Sequence, residues 1–299
     1  MSETEDIIDA ALFKEPEGYY PPTPPPTTQT YTTAKGDIIT LHLVGQSPTE
    51  AHHLWNGSRV MAAHFESDPS LVRDRTVLEL GAGAGLPSIV AAMLGARRVV
   101  VTDYPDPDLI ETMWRNVREC DLIPRQAPTA TAAAATAREG EENGVKNEDE
   151  DEGLNIAVDG YVWGADPTRL LGHLEGTCQG NGEANEAGAR AAAQEGFDVL
   201  ILADLLFRHT EHGKMLKTVQ QTLKKTRDSK AFVVFTSYRP WLQHKDLAFF
   251  DLARDKGFVV EKILEKKMDR PLFEDDPGDK EVLKTVTGWV LRWPEEALE

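Results

Sequence analysis

Cysteine is nearly absent from this 299-residue chain. Cys120 and Cys178 are the only two, and no C-x-x-C pair occurs. That excludes a disulfide scaffold and a cysteine zinc site, and suits a reducing compartment. Basic residues are in deficit: 32 Lys and Arg stand against 50 Asp and Glu, a formal net charge of -18. Such a surface argues against affinity for nucleic acid or anionic lipid and is compatible with a basic protein partner. Long hydrophobic runs are missing too. The best one is broken by Arg97-Arg98, short of a membrane span. The start, Met1-Ser-Glu-Thr-Glu-Asp6, is acidic and has no hydrophobic signal core. The reading is therefore a soluble cytoplasmic protein with no membrane or nucleic-acid partner. No G-x-S-x-G elbow or P-loop lysine occurs, so acyl transfer and ordinary nucleotide hydrolysis have no support.

What the chain does carry is Val77-Leu-Glu-Leu-Gly-Ala-Gly-Ala-Gly-Leu-Pro87, followed by Val99-Val-Val-Thr-Asp103. An apolar strand runs into three glycines at alternate positions, then a helix, then a second strand ending on a carboxylate. Gly81, Gly83 and Gly85 permit a tight turn and let a ligand touch backbone. The helix N-terminus behind them offers bare N–H groups, and Asp103 can accept two ribose hydroxyls. An adenosine-containing cofactor fits this unit. Leu86 stands at the third-glycine position of the dinucleotide fingerprint G-x-G-x-x-G, which disfavours a dehydrogenase.

Around that unit, strand and helix patterns alternate. Residues 1–36 read as an extended proline-rich arm, because Pro21-Pro-Thr-Pro-Pro-Pro26 can be neither helix nor central strand. One domain follows over 37–299, interrupted by low-complexity insertions at about 125–153 and 176–195 that lack the apolar content to fold alone. Ile38 to Val44 alternates as a strand. Ser47-Pro-Thr-Glu50 predicts a helix start, with Ser47 as N-cap and the helix carrying Trp55 and running on through Val60 and Phe65. Asp106-Pro-Asp108 opens another helix, whose apolar face is Leu109, Ile110, Met113 and Val117. Phe197 to Asp204 is a buried strand ending in an acid, Ala231 to Phe235 is another, and Phe258 to Leu264 should pair antiparallel with Val286 to Arg292. The pattern predicts an α/β fold, a three-layer αβα sandwich with a mostly parallel sheet closing on an antiparallel pair.

Several side chains stand out as chemistry-bearing. Glu79 is charged within an apolar strand, so it should be hydrogen-bonded or facing the pocket; it either orients the glycine loop or attracts a cationic ligand. Asp204 ends its strand on the same rim as Asp103, where open α/β sheets bind ligands, and could orient an incoming amine. Trp163, bracketed in Gly160-Tyr-Val-Trp-Gly164, and Trp55 are aromatic candidates for walling a cofactor pocket. His209 and His212 lack the further ligands that zinc needs, and no metal site is expected.

Together E-L-G-A-G-A-G, V-T-D-Y-P-D-P, G-Y-V-W-G and A-D-L-L-F-R-H resemble the seven-β-strand S-adenosylmethionine-dependent methyltransferases. Within them the resemblance is to the lysine methyltransferase group called family 16. It implies a Rossmann-like seven-stranded sheet with a C-terminal antiparallel strand, and S-adenosyl-L-methionine as cofactor. It also implies contacts to that cofactor from Trp55, Gly81, Ala82, Gly83, Asp103, Trp163 and Ala203. The substrate it implies is a protein, translation elongation factor 1-alpha, methylated at its N-terminal α-amine and a nearby lysine in the cytoplasm. Where the family often has an aspartate, two residues and a tyrosine, this chain has Asp204-Leu-Leu-Phe207, without the phenolic hydroxyl. A small-molecule N-methyltransferase and a non-catalytic binding module stay open as alternatives.

Overall fold

The computed structural model describes residues 24–125, 153–174 and 196–298. The two insertions, the first part of the arm and Cys178 lie outside the described residues. In chain order the elements are β1 (Thr27–Thr32), β2 (Ile38–Leu43), α1 (Asn56–Ser67), β3 (Thr76–Leu80), α2 (Leu86–Met93), β4 (Arg98–Asp103), α3 (Pro107–Arg118) and β5 (Ile156–Gly160). After these come α4 (Thr168–Gly172), β6 (Val199–Ala203), α5 (His212–Thr222), β7 (Lys230–Phe235), α6 (Gln243–Asp255), β8 (Val259–Lys267), α7 (Lys280–Leu283) and β9 (Thr285–Arg292).

Seven strands form one sheet in the order β5-β4-β3-β6-β7-β9-β8. The first five are mutually parallel, and β9 lies antiparallel between β7 and β8. Every residue of β3 and β6 is buried, because helices cover both faces of the sheet. Successive side chains alternate between two cores. Val77, Val99, Val101, Val199 and Ile201 pack with α1, α2 and α3, whereas Leu78, Leu80, Val100, Leu200 and Leu202 pack with α5 and α6. The expected three-layer α/β architecture and its antiparallel closing pair are what the chain adopts.

Two local features differ from expectation or extend it. The helix expected from Ser47 begins instead at Asn56, with Trp55 as its N-cap. The Ser47 hydroxyl accepts the Thr49 N–H at 3.2 Å and pairs with the Thr49 hydroxyl at 2.7 Å. Glu50 then takes φ +65°, which a right-handed helix cannot contain. The Ser47 hydroxyl is thus spent on its own turn, and the acceptor for the first turn of α1 comes from Asp204, whose Oδ2 accepts the Gly57 N–H. Upstream, Thr27–Thr32 is extended and paired antiparallel with β2 across a turn in which Gly36 sits at φ +91°. Ile39, Leu41 and Leu43, the alternate residues of β2, are buried in the α1–α3 core.

Buried Asn116 of α3 fastens this hairpin to the sheet. Its Oδ1 accepts the His42 N–H at 2.7 Å, while its Nδ2 donates to the carbonyls of His42 and Ala84, each at 3.0 Å. One amide thus ties the hairpin to the glycine loop.

Candidate active site

The strand order reverses between β3 and β6, so the loops at their carboxyl ends diverge and leave a crevice. The loop after β3 is the glycine segment. Gly81, Gly83 and Gly85 have φ of +60°, +56° and +77°, the left-handed region that explains their alternate spacing. The Ala82 N–H donates to the Thr102 carbonyl at 3.0 Å, pinning the loop to β4. At Gly81 a Cβ would lie 2.6 Å from Leu205 Cδ2 and 3.0 Å from Trp163 Cζ2, so the loop is pressed between these two side chains.

Glu79 holds the far end of the turn. Its Oε2 accepts both the N–H (3.0 Å) and the hydroxyl (2.5 Å) of Ser88, which caps the otherwise uncapped N-terminus of α2. Of its two sequence readings, orientation of the glycine loop is the one this contact supports. Complete burial pushes its carboxyl up to about 8, and Oε1 has no partner among the described residues.

Asp103, at the end of β4, accepts the Gly83 N–H at 2.7 Å through Oδ2 and the Tyr104 N–H at 2.6 Å through Oδ1. Burial pushes its pKa up, against the pull of those two amides. Each oxygen keeps a lone pair for a further donor.

Asp204, one residue beyond β6, stands at φ +54°. Its Oδ2 accepts the Gly57 N–H at 2.5 Å and its Oδ1 the Thr236 N–H at 2.9 Å. The carboxylate therefore joins the first turn of α1 to the end of β7. Burial pushes its pKa up to about 7. Just before α1, the Trp55 indole Nε1 donates to the Glu50 carbonyl at 3.0 Å, which sets the ring's direction.

The seven expected cofactor contacts, Trp55, Gly81, Ala82, Gly83, Asp103, Trp163 and Ala203, and the candidate amine-orienting Asp204 line one cavity of about 370 Å³, whereas Glu79 and Gly85 do not. That volume lies within the range of small-molecule and cofactor sites. His209 and His212 lie away from it: His209 pairs with Asp246 at 2.7 Å, and His212 with the Leu206 carbonyl at 2.7 Å. Near the mouth, Glu50, His52 and His53 bring ligand atoms within 4.8 Å of one another, fewer donors than a structural zinc site uses.

Sequence reasoning missed two side chains beside the cavity. Tyr238 follows β7 much as Asp103 ends β4 and Asp204 follows β6, so its place on the rim was readable from the strand pattern. Phe273, in the long β8–α7 connection, carried no such signal. Both pack against Trp55, with ring centroids at 4.8 Å and 5.9 Å.

The family model described as lysine methyltransferase matches residues 36–130, which include the glycine loop and Asp103. Similar along nearly its whole length is the protein N-terminal and lysine N-methyltransferase efm7 of Neurospora crassa, 56% identical over 98% of this chain and 91% of that protein. The corresponding EFM7 protein of Gibberella zeae is 52% identical over 99% of each chain. The efm7 protein of Schizosaccharomyces pombe is 38% identical over 97% of each. With the glycine turn, the strand-end acid and this likeness over the full chain, the protein belongs to the lysine methyltransferase family.

Proposed function

We propose that this chain is an S-adenosyl-L-methionine-dependent protein N-methyltransferase. We further propose that it modifies the N-terminal α-amine and a nearby lysine of translation elongation factor 1-alpha in the cytoplasm. The observation that carries the reading is the convergence of eight residues from separate loops on one cavity at the strand-order reversal. The names of the relatives, protein N-terminal and lysine N-methyltransferases, support a protein amine as acceptor.

The residues present fit the cofactor. Asp103 offers buried carboxylate lone pairs suited to ribose hydroxyls, Gly81 and Gly83 leave backbone open to close approach, and Trp55 and Trp163 supply aromatic walls. When bound, S-adenosyl-L-methionine supplies an activated methyl group on a sulfonium. The protein's work is then to align the acceptor nitrogen and exclude water.

That nitrogen must first lose its proton. At a pH of about 7.2 this costs an α-amine about 1 kcal/mol and a lysine roughly 4 kcal/mol, from reference pKa values near ~8 and ~10.4. An N-terminal amine therefore reacts without a strong base, whereas a lysine needs help. Asp204 lines the cavity, keeps one lone pair on each oxygen and titrates at about 7, which suits it to take a proton near neutrality.

Elongation factor 1-alpha from cells lacking this protein should be unmethylated at its N-terminus and neighbouring lysine by mass spectrometry, and purified chain with S-adenosylmethionine should restore both. Full methylation without the protein rejects the substrate. For Asp204→Asn, kcat/KM toward a lysine acceptor should lose the rise through pH 7 while α-amine methylation persists. Unchanged selectivity between the two amines would remove Asp204 from that role.

A further inference from the structure

Beside the first cavity lies a second one of about 570 Å³, and the two share Glu50, Trp55, Phe207, Arg208 and Thr210 as a common border. Asp204 lines only the first. Along the second, Tyr238, Phe273 and Phe207 pack around Trp55 at centroid distances of 4.8, 5.9 and 6.1 Å, so these rings form its apolar wall. The polar part of the lining is basic. Arg208 follows β6 and Arg239 follows β7, and the parallel pairing of those strands brings both arginines to this rim.

Elsewhere on the surface Arg115, Arg227, Arg254 and Arg270 each pair with a carboxylate at 2.7 or 2.8 Å. Among the described residues Arg208 and Arg239 form no ion pair, although the chain has 50 acidic residues. Each is held by main chain instead, Arg208 donating to the Pro48 carbonyl at 2.6 Å and Arg239 to the Phe207 carbonyl at 2.5 Å. Those tethers fix the two forks and leave their other N–H groups open to a ligand. His209, also in the lining, is engaged by Asp246 at 2.7 Å. Glu50 is the one carboxylate there among the described residues, 3.9 Å from His52 Nε2. Two guanidiniums against one carboxylate leave this lining positive in a chain whose formal charge is -18. A single surplus charge matches a carboxylate better than a phosphoryl group, which carries about −1.5 to −2.

We infer that the second cavity recognises an acidic side chain of the protein acceptor, a Glu or Asp within a few residues of the amine to be methylated, with Arg208 and Arg239 as its ligands. The inference rests on the methyltransferase reading above and narrows its acceptors to amines followed closely by a carboxylate. With the amine beside Asp204 in the first cavity, the chain that carries it crosses the shared border into the second. An extended chain advances about 3.3–3.6 Å per residue, so a few residues span that border. Guanidinium forks grip carboxylates through paired, charge-assisted hydrogen bonds. The acidic surface elsewhere repels the same side chain, so this basic cavity also sets the register in which the acceptor docks.

The test uses the full chain saturated with S-adenosylhomocysteine and synthetic peptides with a free α-amine and a C-terminal fluorophore. They differ only in carrying Glu or Gln at one of the second to fifth positions, and anisotropy reads their affinity. In one register Glu should bind about five- to thirty-fold tighter than Gln, and phosphoserine there should bind no tighter than Glu. Arg239→Gln should bring the Glu peptide to within about twofold of the Gln peptide, and Arg239→Glu should favour a Lys peptide in the same register. Because Arg239 does not line the first cavity, both variants should bind S-adenosylhomocysteine within about twofold of the unaltered chain by calorimetry, which also reports that they fold. The peptide comparison on the unaltered chain stands even where a variant fails to fold. No preference for Glu in any register, a preference that survives Arg239→Gln, or tighter binding of phosphoserine overturns the inference. So does a loss of S-adenosylhomocysteine affinity in folded Arg239→Gln, which would assign that guanidinium to the donor's own carboxylate. Failure of S-adenosylhomocysteine to bind the unaltered chain overturns the methyltransferase reading instead, and Glu against Gln in cofactor-free chain then decides the cavity on its own.

Discussion

At the scale of single residues, the glycine loop shows how strictly backbone conformation constrains the site. Gly81 combines φ +60° with side chains already at van der Waals limit, whereas at Gly83 the nearest atom to an added Cβ is the Ala51 carbonyl oxygen at 3.8 Å. Gly81→Ala should therefore displace Leu205 and Trp163 and lower S-adenosylhomocysteine affinity at least tenfold by calorimetry, an estimate of about 1.4 kcal/mol or more from strain plus displacement. Gly83→Ala should cost folding only the left-handed strain, about 1 kcal/mol in denaturant melts. Equal folding costs for the two would refute the steric account. The glycine spacing, Asp103 and Asp204 were legible in the sequence because each sits at the end of an apolar strand, where chain direction alone puts it on the rim. Glu79 was legible as anomalous, but its two readings could be separated only once Ser88 was seen to reach back to it.

Among elements, the junction of hairpin, glycine loop and α3 rests on one buried side chain. Asn116→Ala removes three hydrogen bonds and leaves the His42 N–H and the Ala84 carbonyl without that partner. At about 1 kcal/mol for each bond, the variant should lose about 3 kcal/mol in urea unfolding. Its S-adenosylhomocysteine affinity should fall as well, because Ala84 lines the cavity proposed for the donor. A stability loss without any change in affinity would show that the hairpin does not support the loop. No sequence pattern announced this contact: Asn116 lies 74 residues from His42 and 32 from Ala84. The misplaced start of α1 has the same kind of cause. Ser47-Pro48 carries every local sign of a helix cap, yet Asp204, 147 residues away from Gly57, supplies the acceptor that anchors the helix at Asn56–Gly57.

For the molecule as a whole, the buried carboxyls govern how stability responds to pH. Glu79 titrates at about 8 against an ordinary 4.5, and Asp204 at about 7 against 3.8, both through desolvation. A carboxyl whose folded pKa is raised contributes stability that is full below its unfolded pKa and is lost as pH rises through its folded value. Each group thus drains up to about 1.4 kcal/mol per pH unit inside its window. Glu79→Gln keeps a neutral acceptor for Ser88 and abolishes one window. Its melting temperature relative to the unaltered chain should therefore climb from pH 5 to pH 8, and parallel curves in differential scanning fluorimetry would show that the Glu79 carboxyl is ionised in the folded protein. By itself the sequence determined the sandwich, the parallel strands and the place of the glycine turn, Asp103 and Asp204 on the cavity rim, because hydrophobic period and strand-end chemistry are local properties of the chain. Tertiary structure alone decided what Asp204, Asn116 and Phe273 touch. Hydrogen-bond partners and ring contacts depend on which distant segments the sheet order brings together, and no local pattern carries that information.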